Sequence, residues 1–160
     1  MRMQEISLYI PCHNAEQFIM GCIDSVLRQS LPPAEVIVVN DGSTDRTVDI
    51  ARKFPVRVID LPLRSGLAAA RNAAIEAAKS DYVASLDADC RSSPLWLERL
   101  LRTLRAEGAA GAGGRLEEQY HEQLADRWRS AHMRQNWGNK RLMNPPFLFG
   151  CNTLFRKSAL

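Results

Sequence analysis

Short apolar runs alternate along this chain with stretches whose apolar residues recur every three or four positions. Ile6–Cys12 (ISLYIPC) is a nearly continuous apolar run that predicts a buried strand. Asn14, with Gln17 three residues on, predicts the start of a helix in capping-box fashion. Phe18, Ile19, Cys22, Ile23 and Val26 fall on one side of that helix, and Leu31-Pro32-Pro33 ends it. Val36–Val39 is an uninterrupted β-branched run, the pattern of a strand covered on both faces. Asp41-Gly42-Ser43-Thr44 predicts a turn, Thr47–Phe54 a helix and Val56–Leu61 a third strand. Leu67–Lys79 is Ala-rich, and Leu67, Ala70, Ala74, Ala77 and Ala78 suit close packing on a sheet. Tyr82–Leu86 is the fourth strand and runs into Asp87-Ala88-Asp89. Ser93 followed by Pro94 predicts the cap of a helix reaching Gly108. Beyond it the pattern predicts a Gly-rich strand (Ala109–Leu116), a long polar helix (Glu117–Trp137) and a last strand (Phe147–Phe155).

Strand and helix in alternation imply right-handed crossovers, hence an α/β fold of Rossmann-like type: a mainly parallel sheet with helices on both faces. With no repeat and no low-complexity linker, residues 1–160 read as one domain. Composition changes only after Gly138, where Asn, Pro and aromatics replace charge. The net charge of +3 comes from interspersed residues of both signs, with no basic run carrying aromatics, which argues against nucleic acid as a partner. Cys12, Cys22, Cys90 and Cys151 form no CxxC pair and no zinc-finger spacing, as expected for reduced, partly buried thiols. No segment approaches the roughly 20 apolar residues of a spanning helix, and Ile6–Cys12 is too short for a secretory signal. A cytoplasmic chain is the expectation.

The candidate chemistry follows from the fold. Ligands of open parallel sheets bind beyond the carboxyl ends of the strands, where the strand order reverses. An order 3-2-1-4 would bring together Asn40-Asp41, Pro11-Cys12-His13-Asn14 and Asp87-Ala88-Asp89, three polar clusters distant in sequence. Neither GxGxxG nor GxxxxGK[ST] is present to cradle a phosphate. Carboxylates repel phosphate unless a divalent cation lies between them, and Mg2+ or Mn2+ takes oxygen ligands and bridges one or two carboxylates to substrate phosphates. The DxD at a strand end therefore predicts a metal–diphosphate site.

Taken in order, PCHNAE, VNDGSTD, GLAAARN, LDADC and GCNTLFRKSAL resemble the family 2 inverting glycosyltransferases of GT-A fold, over nearly the whole chain. The resemblance implies a nucleotide-diphospho-sugar donor, a UDP-sugar being favoured, with transfer to an acceptor hydroxyl. It places Pro11, His13 and Asn14 along the nucleotide, with Pro11 and His13 lining the base. Asp41 would hydrogen-bond the base, and Arg71 would shape the nucleotide pocket. Asp87 would approach the ribose or a metal-bound water, Asp89 would hold Mg2+ or Mn2+, and Gly150 and Asn152 would lie near the sugar and acceptor. An inverting transfer also needs a general base. The family's acidic residue follows the GxNxxF segment by a few tens of residues, whereas no Asp or Glu follows Asp126 here. The resemblance thus implies the donor-binding portion, truncated at the C-terminus, with the base expected beyond Leu160.

Each of these residues has a plainer alternative. Asp41 could be an exposed turn residue; Asp87 and Asp89 a loop start and a helix cap; His13 a packing residue; Arg71 a solvated helix residue. His121 and His132 read as surface residues of the polar helix. Trp128 and Trp137, with Arg127, Arg129 and Arg134, suit an acceptor-facing or membrane-surface element, and equally an amphipathic helix packed on the core. The alternative function is a non-catalytic nucleotide-sugar-binding or assembly module. A nucleotidyltransferase would need a Gly- and Arg-rich loop with a Lys after the first strand. A haloacid-dehalogenase phosphatase would carry its DxD on the first strand rather than the fourth.

Overall fold

The computed structural model describes residues 6–160 apart from 121, 134 and 139, so His121 and Arg134 lie outside the described residues. In chain order the elements are β1 (Ile6–Cys12), α1 (Ile19–Leu27), β2 (Glu35–Asn40), α2 (Thr47–Ala51), β3 (Arg57–Asp60), α3 (Leu67–Ala77) and β4 (Tyr82–Leu86). Then follow α4 (Trp96–Ala106), β5 (Gly111–Gly113), α5 (Leu124–His132), β6 (Asn152–Arg156) and a short 3-10 turn at Lys157–Ala159.

The strands form one sheet in the order β3-β2-β1-β4-β6-β5. The expected 3-2-1-4 arrangement is its parallel part. β6 and β5 extend it antiparallel to β4 and to each other. The apolar runs of β1, β2 and β4 are buried along almost their full length because both faces are covered. Successive side chains serve opposite layers. Leu8, Ile10, Val36 and Val38 pack with α1 and α4 through Ile19, Ile23, Val26, Leu97, Leu100 and Leu104. Tyr9, Ile37, Val39 and Val83 pack beneath Ala70, Ala74 and Ala78. The small side chains of α3 let its backbone approach the sheet closely, whereas Leu67, expected to share that face, is exposed.

The expected helix starts are corrected. Asn14 caps nothing: α1 begins at Ile19 after a turn in which the Ala15 carbonyl accepts the N–H groups of Phe18 and Ile19. Ser93 does not cap α4 with its side chain either, and the segment through Pro94 and Leu95 is a turn before Trp96. The cap comes from α1's end instead. Buried Gln29 accepts the Leu97 N–H at 3.0 Å and donates to the Ser93 carbonyl at 2.8 Å. The polar helix is shorter than the pattern predicts. It covers only Leu124–His132, started by a reciprocal Gln123–Asp126 capping box, and none of its residues is buried. The flanking strands are likewise short, β5 three residues long and β6 beginning only at Asn152.

Candidate functional site

Parallel pairing sets the carboxyl ends of β1 and β2 side by side, with Cys12 opposite Asn40. The β1–β4 register, Tyr9 opposite Ser85, carried two residues on, brings Asp87 level with Pro11. β6 runs the other way, so its first residue, Asn152, pairs with Leu86 at this same end. Pro11, His13, Asn14, Asp41, Asp87, Asp89, Gly150 and Asn152 therefore lie at one end of the sheet or in a loop leaving it, and Arg71 lies on α3.

The first two loops are stitched to each other. Asn14, with φ of 48°, turns its carboxamide away from α1, and its Oδ1 accepts the Thr44 N–H at 2.8 Å. Its own N–H donates to the Ser43 hydroxyl at 3.0 Å. The Ala15 N–H donates to Thr47 Oγ1 at 2.7 Å, and the Glu16 N–H to Asp45 Oδ2 at 3.0 Å. Burial alone would raise the Asp45 carboxyl, but the Thr47 hydroxyl and the Thr47 and Glu16 amides outweigh it and hold its pKa below 3.8. His13 contacts the Asp41 carbonyl through Nδ1 at 2.8 Å, and Pro11 is buried within β1. None of Asp45, Thr47 or Gln29 stands out in the sequence. D-R-T before an apolar pattern is a capping signal, while a lone Gln at a helix end reads as solvated.

Asp41 is 6% exposed, which corrects the expectation of an exposed turn. Its two carboxylate oxygens accept the N–H groups of Ser65 and Gly66, the latter at 2.9 Å. These are the amides at the start of α3, whose cap position is Gly66, at φ 89°, with no side-chain cap of its own. A carboxylate from β2 thus caps α3 in trans and meets the positive end of its dipole. Gly42, at φ +67°, lets the chain around Arg64 come close: a Cβ there would meet the Arg64 nitrogen at 3.1 Å. A carboxylate has about four lone-pair directions, and these bonds use two of them.

Across the crevice, Arg71 of α3 donates to Asp87 Oδ1 at 3.3 Å, each side chain less than a third exposed. The Arg71 Nε is buried without a partner among the described residues. Gly150 leaves room for this guanidinium, since a Cβ there would lie 2.7 Å from it. Burial pushes the Asp87 carboxyl above its ordinary range, against the Arg71 charge that pulls it down, and the neighbouring Asp89 carboxylate raises it further. Asp89 itself is exposed and takes only a long contact from the Cys90 thiol, at 3.6 Å. Asn152 is turned inward. Its Oδ1 accepts the Trp96 indole N–H at 2.6 Å and its Nδ2 donates to the Arg115 carbonyl at 3.2 Å, tying α4 and the segment just after β5 to β6.

Whether the carboxylates suit a cation can be judged from the donor set. Two aspartates separated by one residue, Asp87 raised by burial and further by its neighbour's charge, are hard oxygen ligands that gain from a divalent ion. Among the described residues no group of three His, Cys, Asp or Glu side chains could enclose a metal. An Mg2+ or Mn2+ ion held by one or two carboxylates takes phosphate and water oxygens to complete its shell. The Arg71 guanidinium, 28% exposed, adds a positive charge beside them. The residues present fit the ion.

Comparison with known proteins gives the family and the fold. The profile of Glycosyl transferase family 2 matches residues 7–160. The chain belongs to that family. The uncharacterized glycosyltransferase EpsJ of Bacillus subtilis is 41% identical over 100 residues, 59% of this chain and 29% of EpsJ. Glycosyltransferase AglE of Haloferax volcanii is 36% identical over 122 residues, 72% of this chain and 40% of AglE. Among solved structures, S. aureus TarS 1-349 superposes with a TM-score of 0.76 at 20% identity, over 97% of this chain and 48% of TarS. Its complex with UDP-GlcNAc superposes with a TM-score of 0.73 at 21% identity, over 97% and 46% of the two chains. A Pyrobaculum calidifontis mannosyltransferase in complex with GDP-Man and Mn2+ gives 0.72 at 21% identity, over 95% and 44%. These structural likenesses show the GT-A fold. The family 2 chain spans less than half the length of each of these relatives. None of its described helices is long and apolar enough to cross a membrane.

Proposed function

We propose that this chain forms the donor site of a metal-dependent, inverting glycosyltransferase whose donor is a nucleotide-diphospho-sugar, with uridine as the favoured nucleoside. The observation that carries this reading is the meeting, at one end of the sheet, of Asp41, the Arg71–Asp87 pair and exposed Asp89. The family and the nucleotide-sugar complexes of its structural neighbours support it. In this reading Pro11 and His13 line the base, and Asp41 accepts a base N–H on its free lone pairs. Asn14 shapes the pocket by fixing the β1–α1 loop against Thr44. Arg71 turns the exposed part of its guanidinium to the diphosphate, and Asp87 and Asp89 hold Mg2+ or Mn2+. Gly150 and Asn152 form the wall on the sugar side, Gly150 by admitting Arg71 and Asn152 by fixing β6. A bound divalent cation supplies Lewis-acid stabilisation of the departing nucleoside diphosphate.

The acceptor hydroxyl must lose its proton as it attacks. Glu117 and Glu118 are held by Arg115 and Arg129, at 3.3 and 2.9 Å. The residues gathered at the end of the sheet are assigned donor binding rather than acceptor activation, with a binding module as the second reading. Turnover by the 160-residue chain alone would contradict that assignment, and Glu117 and Glu118 would then be the first to mutate.

The test of the base pocket is a titration of the chain with UDP, GDP, CDP and ADP in Mn2+. A site that hydrogen-bonds one base should favour UDP by at least about tenfold, near 1.4 kcal/mol. Equal affinities for all four would contradict the roles given to His13 and Asp41.

A further inference from the structure

The turn that carries the DxD is surrounded by sulfur. The Cys22 thiol donates to the Asp87 carbonyl at 3.4 Å, and the Cys90 N–H donates to the same oxygen at 3.0 Å. The Asp87 N–H in turn donates to the Cys151 carbonyl at 3.4 Å. Asp87 thus ties the backbones of Cys90 and Cys151 together, although 61 positions separate them; the Cys90 thiol points to Asp89 Oδ1 and the Cys151 thiol to Gln135 Oε1, each at 3.6 Å. Cys90 is half-buried, whereas Cys151 and Cys22 are buried, and all are free. One member of the pair adjoins Asp89 and the other lies between Gly150 and Asn152.

We propose that Cys90 and Cys151 are an oxidation site, a reversible disulfide latch across the donor crevice driven by hydrogen peroxide. A sulfur of the pair attacks the peroxide O–O bond, giving a sulfenic acid and releasing water. The second thiol attacks that sulfur, the S–S bond forms and a second water leaves. The two sulfurs lose two electrons in all, and one peroxide is reduced to two waters. A dithiol reductant reverses the step by exchange. Drawing Cys90 toward Cys151 takes the Cys90 contact off Asp89 Oδ1 and pulls the DxD turn onto the start of β6, so the oxidised chain should hold the nucleotide diphosphate poorly. That consequence rests on the donor-site reading; the disulfide itself does not.

The test treats the full chain with stoichiometric peroxide and reads intact mass, tryptic peptides and UDP affinity in Mn2+, before and after dithiothreitol. The expected result is a loss of two hydrogens, with peptides 80–91 and 142–156 linked. UDP affinity should fall at least about tenfold, and both changes should reverse on reduction. C90S and C151S should each keep UDP binding and lose the peroxide response. Linkage through peptide 3–28, which carries Cys12 and Cys22, would overturn the proposal. So would sulfinic acid without a cross-link, or a Cys90–Cys151 link that leaves UDP affinity unchanged. Failure of the reduced chain to bind UDP would instead count against the donor site, and the linked peptide would still decide the disulfide.

Discussion

α4 and α5 are both amphipathic and of similar length, yet they do opposite things. α4 buries Trp96, Leu97, Leu100, Leu101 and Leu104 against the sheet, while α5 buries nothing and leaves Leu124 and Trp128 81% and 56% exposed. The difference follows from composition and from what each helix meets. In α4 the apolar residues recur at spacings of three and four through three turns and find β1, β4 and β6. In α5 Leu124 and Trp128 begin such a stripe, but His132 continues it, stacking on Trp128 at 4.8 Å between centroids. The lesson is about where chemistry can be mounted. Asp41, Arg71 and Asp87 stand on elements locked by the two core layers, whereas the segment between β5 and β6 reaches the crevice only at its end, through Gly150–Asn152.

Truncating one apolar residue on each helix should split the two regions most sharply. Leu97→Ala removes a fully buried side chain and should cost about 2–5 kcal/mol of unfolding free energy, by urea denaturation. Trp128→Ala should change it by no more than about 0.5 kcal/mol. Comparable losses would mean that α5 is packed as firmly as α4.

A smaller effect should come from the crevice itself. Asp41→Ala strands two amides at the start of α3 and should cost about 2–4 kcal/mol, given the strength of bonds to a charged acceptor. It should weaken UDP binding as well, and Asp41→Asn should be intermediate in stability. Thermal melts with parallel titrations check both. A stable Asp41→Ala protein would return Asp41 to the role of a simple turn residue.

The smallest effect is one of pH. Asp45 has a depressed folded pKa, so its stabilisation is fully present above the unfolded value near 3.8 and is lost as pH falls through the lower folded value. Asp45→Asn should therefore be less stable than wild type at pH 6, with the gap closing below about pH 4. Melting temperatures of the two proteins between pH 2 and 6 read this directly. A gap that stayed constant with pH would show that the charge of Asp45 contributes nothing.

The same contrast explains what could be read from the chain. Buried parallel strands advertise themselves as continuous apolar runs, so the 3-2-1-4 order and the meeting of the three polar clusters were legible. Caps were not, because the local candidates had stronger partners elsewhere. Asn14 is drawn to Thr44, and α3 and α4 take their caps from Asp41 and Gln29, distant in sequence. β5 and β6 were read as longer than they are, because neither the Gly-rich nor the aromatic run marks where pairing stops. Glycine is required at position 111, where a Cβ would lie 2.4 Å from the Phe155 ring. Pairing across an antiparallel edge leaves no such mark in either segment alone.

The central claim is that Asp87 and Asp89 meet a diphosphate only through a divalent cation. Calorimetric titration of UDP into the chain, in Mn2+ and in EDTA, tests it most directly, with Asp89→Asn as the matched variant. The expected result is binding in Mn2+ that weakens at least about tenfold in EDTA, and an equal weakening in Asp89→Asn with its melting temperature unchanged. UDP binding as tight in EDTA as in Mn2+, or undiminished in Asp89→Asn, would contradict the account.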